Sequence, residues 1–129
     1  MLSIGYCFLR DCTSLESAVI LDRVERIGNG FLNGCENIKS IVIPNSVRYI
    51  GSWFMKDCIH LESIVLSTSL TSIGDDFLLG CSNIKSLVIP DSVKSIGDDF
   101  LRNCTGLEFV EMGGNVIRNE SFALHGWNK

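Results

Sequence analysis

The chain has 129 residues, of which 46% are apolar and 20% charged, with a formal net charge of −4. That length carries one domain with a real core but not two, and the composition excludes a disordered or collagen-like chain. There is no basic excess to neutralise phosphates, which argues against a nucleic-acid partner. No apolar run approaches the ~20 residues of a membrane-spanning helix, so membrane insertion is not expected.

Taken in chain order, Met1–Leu9 has no basic region and meets Arg10 and Asp11 too early for a signal peptide. The dipeptide Ile4-Gly5 then opens a unit that recurs at Ile27-Gly28, Ile50-Gly51, Ile73-Gly74 and Ile96-Gly97. Three residues beyond each Gly stands Phe8, Phe31, Phe54, Phe77 or Phe100, followed by Leu9, Leu32, Met55, Leu78 or Leu101. Next comes a cysteine, Cys12, Cys35, Cys58, Cys81 or Cys104, at an unbroken interval of 23 residues. The stretch from Ile-Gly to Cys carries its apolar residues near helical spacing and is expected to form a short helical or 3₁₀ turn. The recurring Gly is expected at a tight corner or a positive φ.

After each cysteine the pattern changes to period two. Leu61-Glu62-Ser63-Ile64-Val65-Leu66 typifies it: a strand with Ile64 and Leu66 inside and Ser63 and Val65 outside. Pro44 and Pro90 close two of these strands, because proline cannot donate to a ladder. The unit ends on Val24, Val47, Leu70, Val93 or Val116. One such unit cannot offset the ~1–2 kcal/mol per residue of backbone entropy it must lose. Stacked units can, since each covers its neighbour's apolar side. A period in the twenties rich in Leu and Ile marks a leucine-rich-repeat solenoid. The fold class expected is therefore an α/β repeat, a short right-handed coil with one strand per 23-residue repeat on its concave face. Residues 1–129 form a single domain. The repeats run at about 4–26, 27–49, 50–72, 73–95 and 96–118, with a C-terminal capping half-repeat at 119–129.

The combined unit, Cys-x-x-Leu/Ile-x-Ser-x-Val-Ile-Pro-x-Ser-Val-x-x-Ile-Gly-x-x-Phe-Leu, resembles the BspA-type (Treponema pallidum-type) leucine-rich repeat, over roughly residues 4–118. The family's Ala-Phe pair is Phe-Leu here, as at Phe77-Leu78. The resemblance implies a non-enzymatic protein-binding module, at the cell surface or secreted, with a role in adhesion to host proteins.

Repeats alternate in type, so the position after the inward Leu or Ile reads Glu16, Lys39, Glu62, Lys85, Glu108. Stacked at cross-strand distance, these opposite charges favour one stacking order and offer a surface to a partner. With the outward Val42, Val65 and Val88 they form the expected protein-binding concave face. The valine column is either an interaction stripe or simply good strand former. Tyr49 and Trp53 occupy otherwise polar slots and are candidate aromatic anchors, or pack on neighbouring loops. Asp75, Asp76, Asp98 and Asp99 stack as an acidic edge, which is read as solvated and lacks a calcium-loop spacing. The thiols of Cys12, Cys35, Cys58, Cys81 and Cys104 are expected as a structural ladder. Five is an odd number for disulfides, and a line of thiols cannot supply four convergent zinc ligands. No catalytic, cofactor or metal site is expected.

At the C-terminus, Phe122, Leu124 and Trp127 fall in the phase of an altered half-repeat and are expected to cap the coil. At the other end Met1 falls in the Val slot. An uncapped N-terminal end follows, which would pair with a second copy or continue a longer array. A homodimer through the concave face is the other expected self-contact. The alternative reading of the whole chain is a structural spacer or intracellular scaffold segment. If Trp127 is the lid, Trp127→Ser lowers stability by a few kcal/mol; an unchanged denaturation midpoint would reject the cap.

Overall fold

The structure, a computed structural model, describes residues 2–5, 9–113 and 115–118. The expected cap residues Phe122, Leu124 and Trp127 lie outside these residues. The chain winds into a parallel β-solenoid of about five turns. One column of strands comprises β1 (Leu2–Ile4), β2 (Val24–Ile27), β4 (Tyr49–Ile50), β6 (Ser72–Ile73) and β8 (Ser95–Ile96). They form a single parallel sheet in chain order. Arg26 pairs with Tyr49, Tyr49 with Ser72 and Ser72 with Ser95, one repeat apart each time.

A second column carries β3 (Ser40–Val42), β5 (Ser63–Val65), β7 (Ser86–Ile89) and β9 (Phe109–Met112), with β10 (Asn115–Arg118) antiparallel on β9. The repeat thus contributes two short strands rather than the one expected. The second strand, a dipeptide such as Tyr49-Ile50, is too short to show alternation in the sequence. Its backbone pairing comes only from the coil beside it.

The expected helical turn is also corrected: among the described residues there is no helix. Between Gly and Cys the backbone alternates into the left-handed region, at Trp53 (φ 60°), Met55 (φ 48°) and Asp57 (φ 61°) in the third coil. The fourth coil repeats this at Asp76, Leu78 and Gly80. A helix needs consecutive right-handed residues, so this alternation excludes one. It sends successive amides to opposite neighbours. Trp53 N–H donates to Asp75 O of the following coil (2.8 Å), Met55 N–H to Phe31 O of the preceding one (2.8 Å), and Asp57 N–H to Leu79 O of the following one (2.7 Å). A left-handed conformation costs a residue like leucine about 1–2 kcal/mol. Leu32, Met55 and Leu78 are fully buried, and burial of such a side chain is worth about 1.5–3 kcal/mol, so burial wins.

Of the two roles expected for the Ile-Gly glycines, a tight corner or a positive φ, the second is not found. Gly28, Gly51, Gly74 and Gly97 are not in the left-handed region. A Cβ on Gly74 would lie 2.6 Å from the carbonyl carbon of Gly51 and 2.6 Å from the amide nitrogen of Ser52. The coils meet backbone to backbone there, and only glycine fits. Beside them runs a column of short acceptors: Asn29 Oδ1 accepts from Ser52 N–H (2.8 Å), Ser52 Oγ from Asp75 N–H (3.1 Å), and Asp75 Oδ1 from Asp98 N–H (2.8 Å).

The core repeats one layer per coil. Phe31, Phe54, Phe77 and Phe100 stack with ring centroids 5.4–5.5 Å apart. Cys35, Cys58, Cys81 and Cys104 are buried free thiols. Each donates from Sγ to a carbonyl of the preceding coil: Cys35 to Leu9 O (3.0 Å), Cys58 to Leu32 O (3.2 Å), Cys81 to Met55 O (3.1 Å) and Cys104 to Leu78 O (3.0 Å). Those acceptors are the left-handed residues after Phe. The carbonyls of Leu32, Met55 and Leu78 also accept the amide of their own coil's cysteine. Cysteine suits the slot because it is small, apolar and still a donor.

Two predictions follow from this packing. Gly74→Ala destabilises the fold by about 1–3 kcal/mol in urea unfolding; an unchanged midpoint would mean the coils separate freely at that corner. Burial pushes the Cys58 and Cys104 thiols up to about 12 from an ordinary 9.0. Unfolded thiols therefore ionise first, and stability, independent of these thiols below pH 9, falls as pH rises from about 9 to 12. The slope is about 1.4 kcal/mol per pH unit for each thiol. Urea unfolding of the parent against Cys58→Ala across this range measures it, and parallel profiles would refute the assignment.

Candidate interaction face

On the second strand column each coil places one apolar residue inward between two outward ones. Ile41, Ile64 and Leu87 are buried, while the Ser and Val on either side point to solvent. Val42, Val65 and Val88 are 62%, 58% and 54% exposed, and Val19 on the first coil 89%. Pairing of Val42 with Val65, and of Val88 with Glu111, places these residues in register. Val42 thus lies beside Val65 and Val88 beside Glu111, with Val19 in the same sequence phase on the first coil.

The charged positions lie alongside. Glu62 N–H donates to Lys39 O, and Glu108 N–H to Lys85 O, both at 2.8 Å, so these residues are backbone neighbours on adjacent coils. Their side chains, and that of Glu16, are exposed and form no direct ion pair among the described residues. In water such a pair gains little against the freedom of two long side chains. The charges therefore pattern the surface without clamping it.

Tyr49 and Trp53 are not brought to this face. Tyr49 belongs to the five-stranded column, half-buried, with the Arg26 guanidinium 4.3 Å over its ring, a contact worth about 0.5–1 kcal/mol. Trp53 sits in the left-handed turn, where its amide ties the third coil to the fourth. The acidic edge is likewise engaged locally: Asp75 accepts the Asp98 amide, and Asp99 pairs with Arg102 at 3.3 Å. Among the described residues, no three of His, Cys, Asp or Glu are grouped to hold a metal ion. His60 proves structural, its Nδ1–H donating to Glu36 O of the preceding coil at 2.8 Å. Asn37, in the same slot one coil earlier, does the same to Thr13 O.

Two features were not read from the sequence. First, β5 and β7 are consecutive in the stack yet belong to different sheets, whereas β3 pairs with β5 and β7 with β9. The column is therefore hydrogen-bonded in pairs of coils, with a seam between the third and fourth. Second, an open groove of about 580 Å³ crosses this seam, walled by Val65, Thr68, Val88, Pro90, Asp91 and Glu111 among others. The alternation of Lys and Glu coils was the sequence signal for the first feature, and Glu111 breaking the valine column was the signal for the second.

The comparisons agree with this architecture. A profile described as the BspA type leucine rich repeat region matches residues 3–126 in six copies. No curated protein sequence matches at a significant level. A leucine rich repeat protein of Treponema pallidum of known structure superposes with a TM-score of 0.79 at 30% identity, over 84% of this chain and 51% of that one. One from Bacteroides ovatus superposes with a TM-score of 0.78 at 34% identity, over 86% and 30%. The chain spans about half the length of the first and a third of the second. The 23-residue coil, its glycine and cysteine columns and the profile match over nearly the whole length lead to one conclusion: the chain belongs to the BspA-type leucine-rich repeat family.

Proposed function

We propose that the chain is a non-enzymatic protein-interaction module that engages its partner through the valine column and the charges beside it. The observation that supports this reading is the exposed row of Val42, Val65 and Val88, with Val42 paired to Val65 and Val88 to Glu111. Stacked apolar side chains of this kind mark interaction surfaces. Glu62, Lys85 and Glu108 contribute orientation and rate of encounter more than affinity. The thiol column, from Cys12 to Cys104, is assigned a structural role. By analogy with the family, the partner is a host or matrix protein met in surface adhesion, an argument from kinship rather than from a site.

A second reading, self-association or a structural spacer, is favoured by the first coil. Ile4, Cys12, Leu15 and Ala18 are only partly buried where their equivalents in the second to fourth coils are closed over, and Leu21 is exposed. Light scattering over a concentration series tests the self-association branch, which requires a mass that grows with concentration.

Val65→Asp costs the fold no more than about 1 kcal/mol, the loss of a strand former at a position 58% exposed. In a screen against immobilised matrix proteins it should cost any parent binding at least tenfold. Equal binding by parent and variant would remove the valine column from the interaction.

A further inference from the structure

The groove across the seam differs from the rest of the valine face in its charge. Its floor is apolar, with Val65 and Val88 joined by Pro90 at the corner that ends β7. Its rim carries two exposed carboxylates, Asp91 and Glu111. Neither has an ion-pair partner among the described residues. They come from different coils, Asp91 from the corner after Pro90 and Glu111 from the outward position of β9 that pairs with Val88. On the preceding coils the column carries valine where this end carries Glu111, and the slot of Asp91 holds Thr68 and Asn45, with Asp22 on the first coil. The strands flanking the seam share no ladder although they lie side by side, and the groove opens over that junction.

From this juxtaposition we infer that the groove receives an extended segment of a partner protein that alternates apolar and basic side chains. An apolar residue rests on Val65, Val88 and Pro90, and a lysine or arginine reaches Asp91 and Glu111. The complementarity is one of charge as well as shape. An apolar stripe alone accepts many partners, whereas two carboxylates at its end reject an acidic one through like-charge repulsion. The inference rests on the proposed use of the valine face and adds to it the chemistry of the bound segment.

The test uses the full chain, isotopically labelled for NMR, and three end-blocked hexapeptides. One alternates Lys and Val, and the other two replace Lys by Glu or by Ser. The lysine peptide is expected to shift the amides of Val65, Val88, Asp91 and Glu111 saturably, and the glutamate peptide to bind at least tenfold more weakly. The double substitution Asp91→Asn with Glu111→Gln should weaken the lysine peptide by roughly three- to tenfold, the effect of losing two exposed ion pairs. It should also flatten the salt dependence of binding. Equal binding of the lysine and glutamate peptides, or shifts centred elsewhere, would overturn the inference. If the serine peptide binds Val65 and Val88 as tightly as the lysine peptide, the charge assignment fails while the face remains a binding surface. If no peptide binds, and the double substitution instead shifts amides of residues 119–129, the groove belongs to the chain's own end and the inference is lost. Failure of the face itself is read separately, from Val65→Asp in the matrix-protein screen.

Discussion

Everything in this molecule depends on the close approach of one coil's backbone to the next at the glycine column. Gly28, Gly51, Gly74 and Gly97 sit where a Cβ would strike the backbone or the acceptor side chain of the coil before. That contact sets the spacing of the stack, and the spacing in turn allows strand pairing, ring stacking and thiol-to-carbonyl bonds to repeat without drift. A coil held further away would lose these together, because all of them cross the same gap.

The same constraint explains why the segment after the glycine is not helical. A helix would satisfy its amides internally and leave nothing for its neighbours. Alternating left- and right-handed residues send amides forward and back along the stack, at a local cost that burial of Leu32, Met55 and Leu78 offsets. Their carbonyls serve both the amide of one cysteine and the thiol of the next. The slot therefore selects a small side chain that still donates.

The proposed interaction surface uses what the coil leaves over. Inward positions are committed to stacking, whereas the outward positions of the second strand column face solvent. There the valines, the alternating charges and the terminal carboxylate are placed in register by a backbone that does not depend on them. The pairing of coils two by two adds a boundary within this surface, with Pro44 and Pro90 closing strands in the second and fourth coils. In the third coil Ser67 takes the proline's place, donating from Oγ to Val47 O (2.7 Å) and accepting from Ser69 N–H (3.0 Å). The two kinds of corner keep the coils alike in pitch and unlike in edge.

The sequence alone determined the pitch, the inward set and the outward valines, because a residue repeated every 23 positions must be stacked on itself and period-two alternation names its inner face. Even the left-handed turn left a trace in Asp11, Gly34, Asp57, Gly80 and Asn103, all residues that tolerate positive φ. That trace was overridden by apolar residues that happened to fall at helical spacing. Only the tertiary structure decided the second strand, the backbone role of the glycines, the engagement of His60 and Asp75, and the groove at the seam. Each of these arises between coils, from distances of a few ångströms that no single repeat contains, and a pattern read along one chain cannot register a contact made across its own windings.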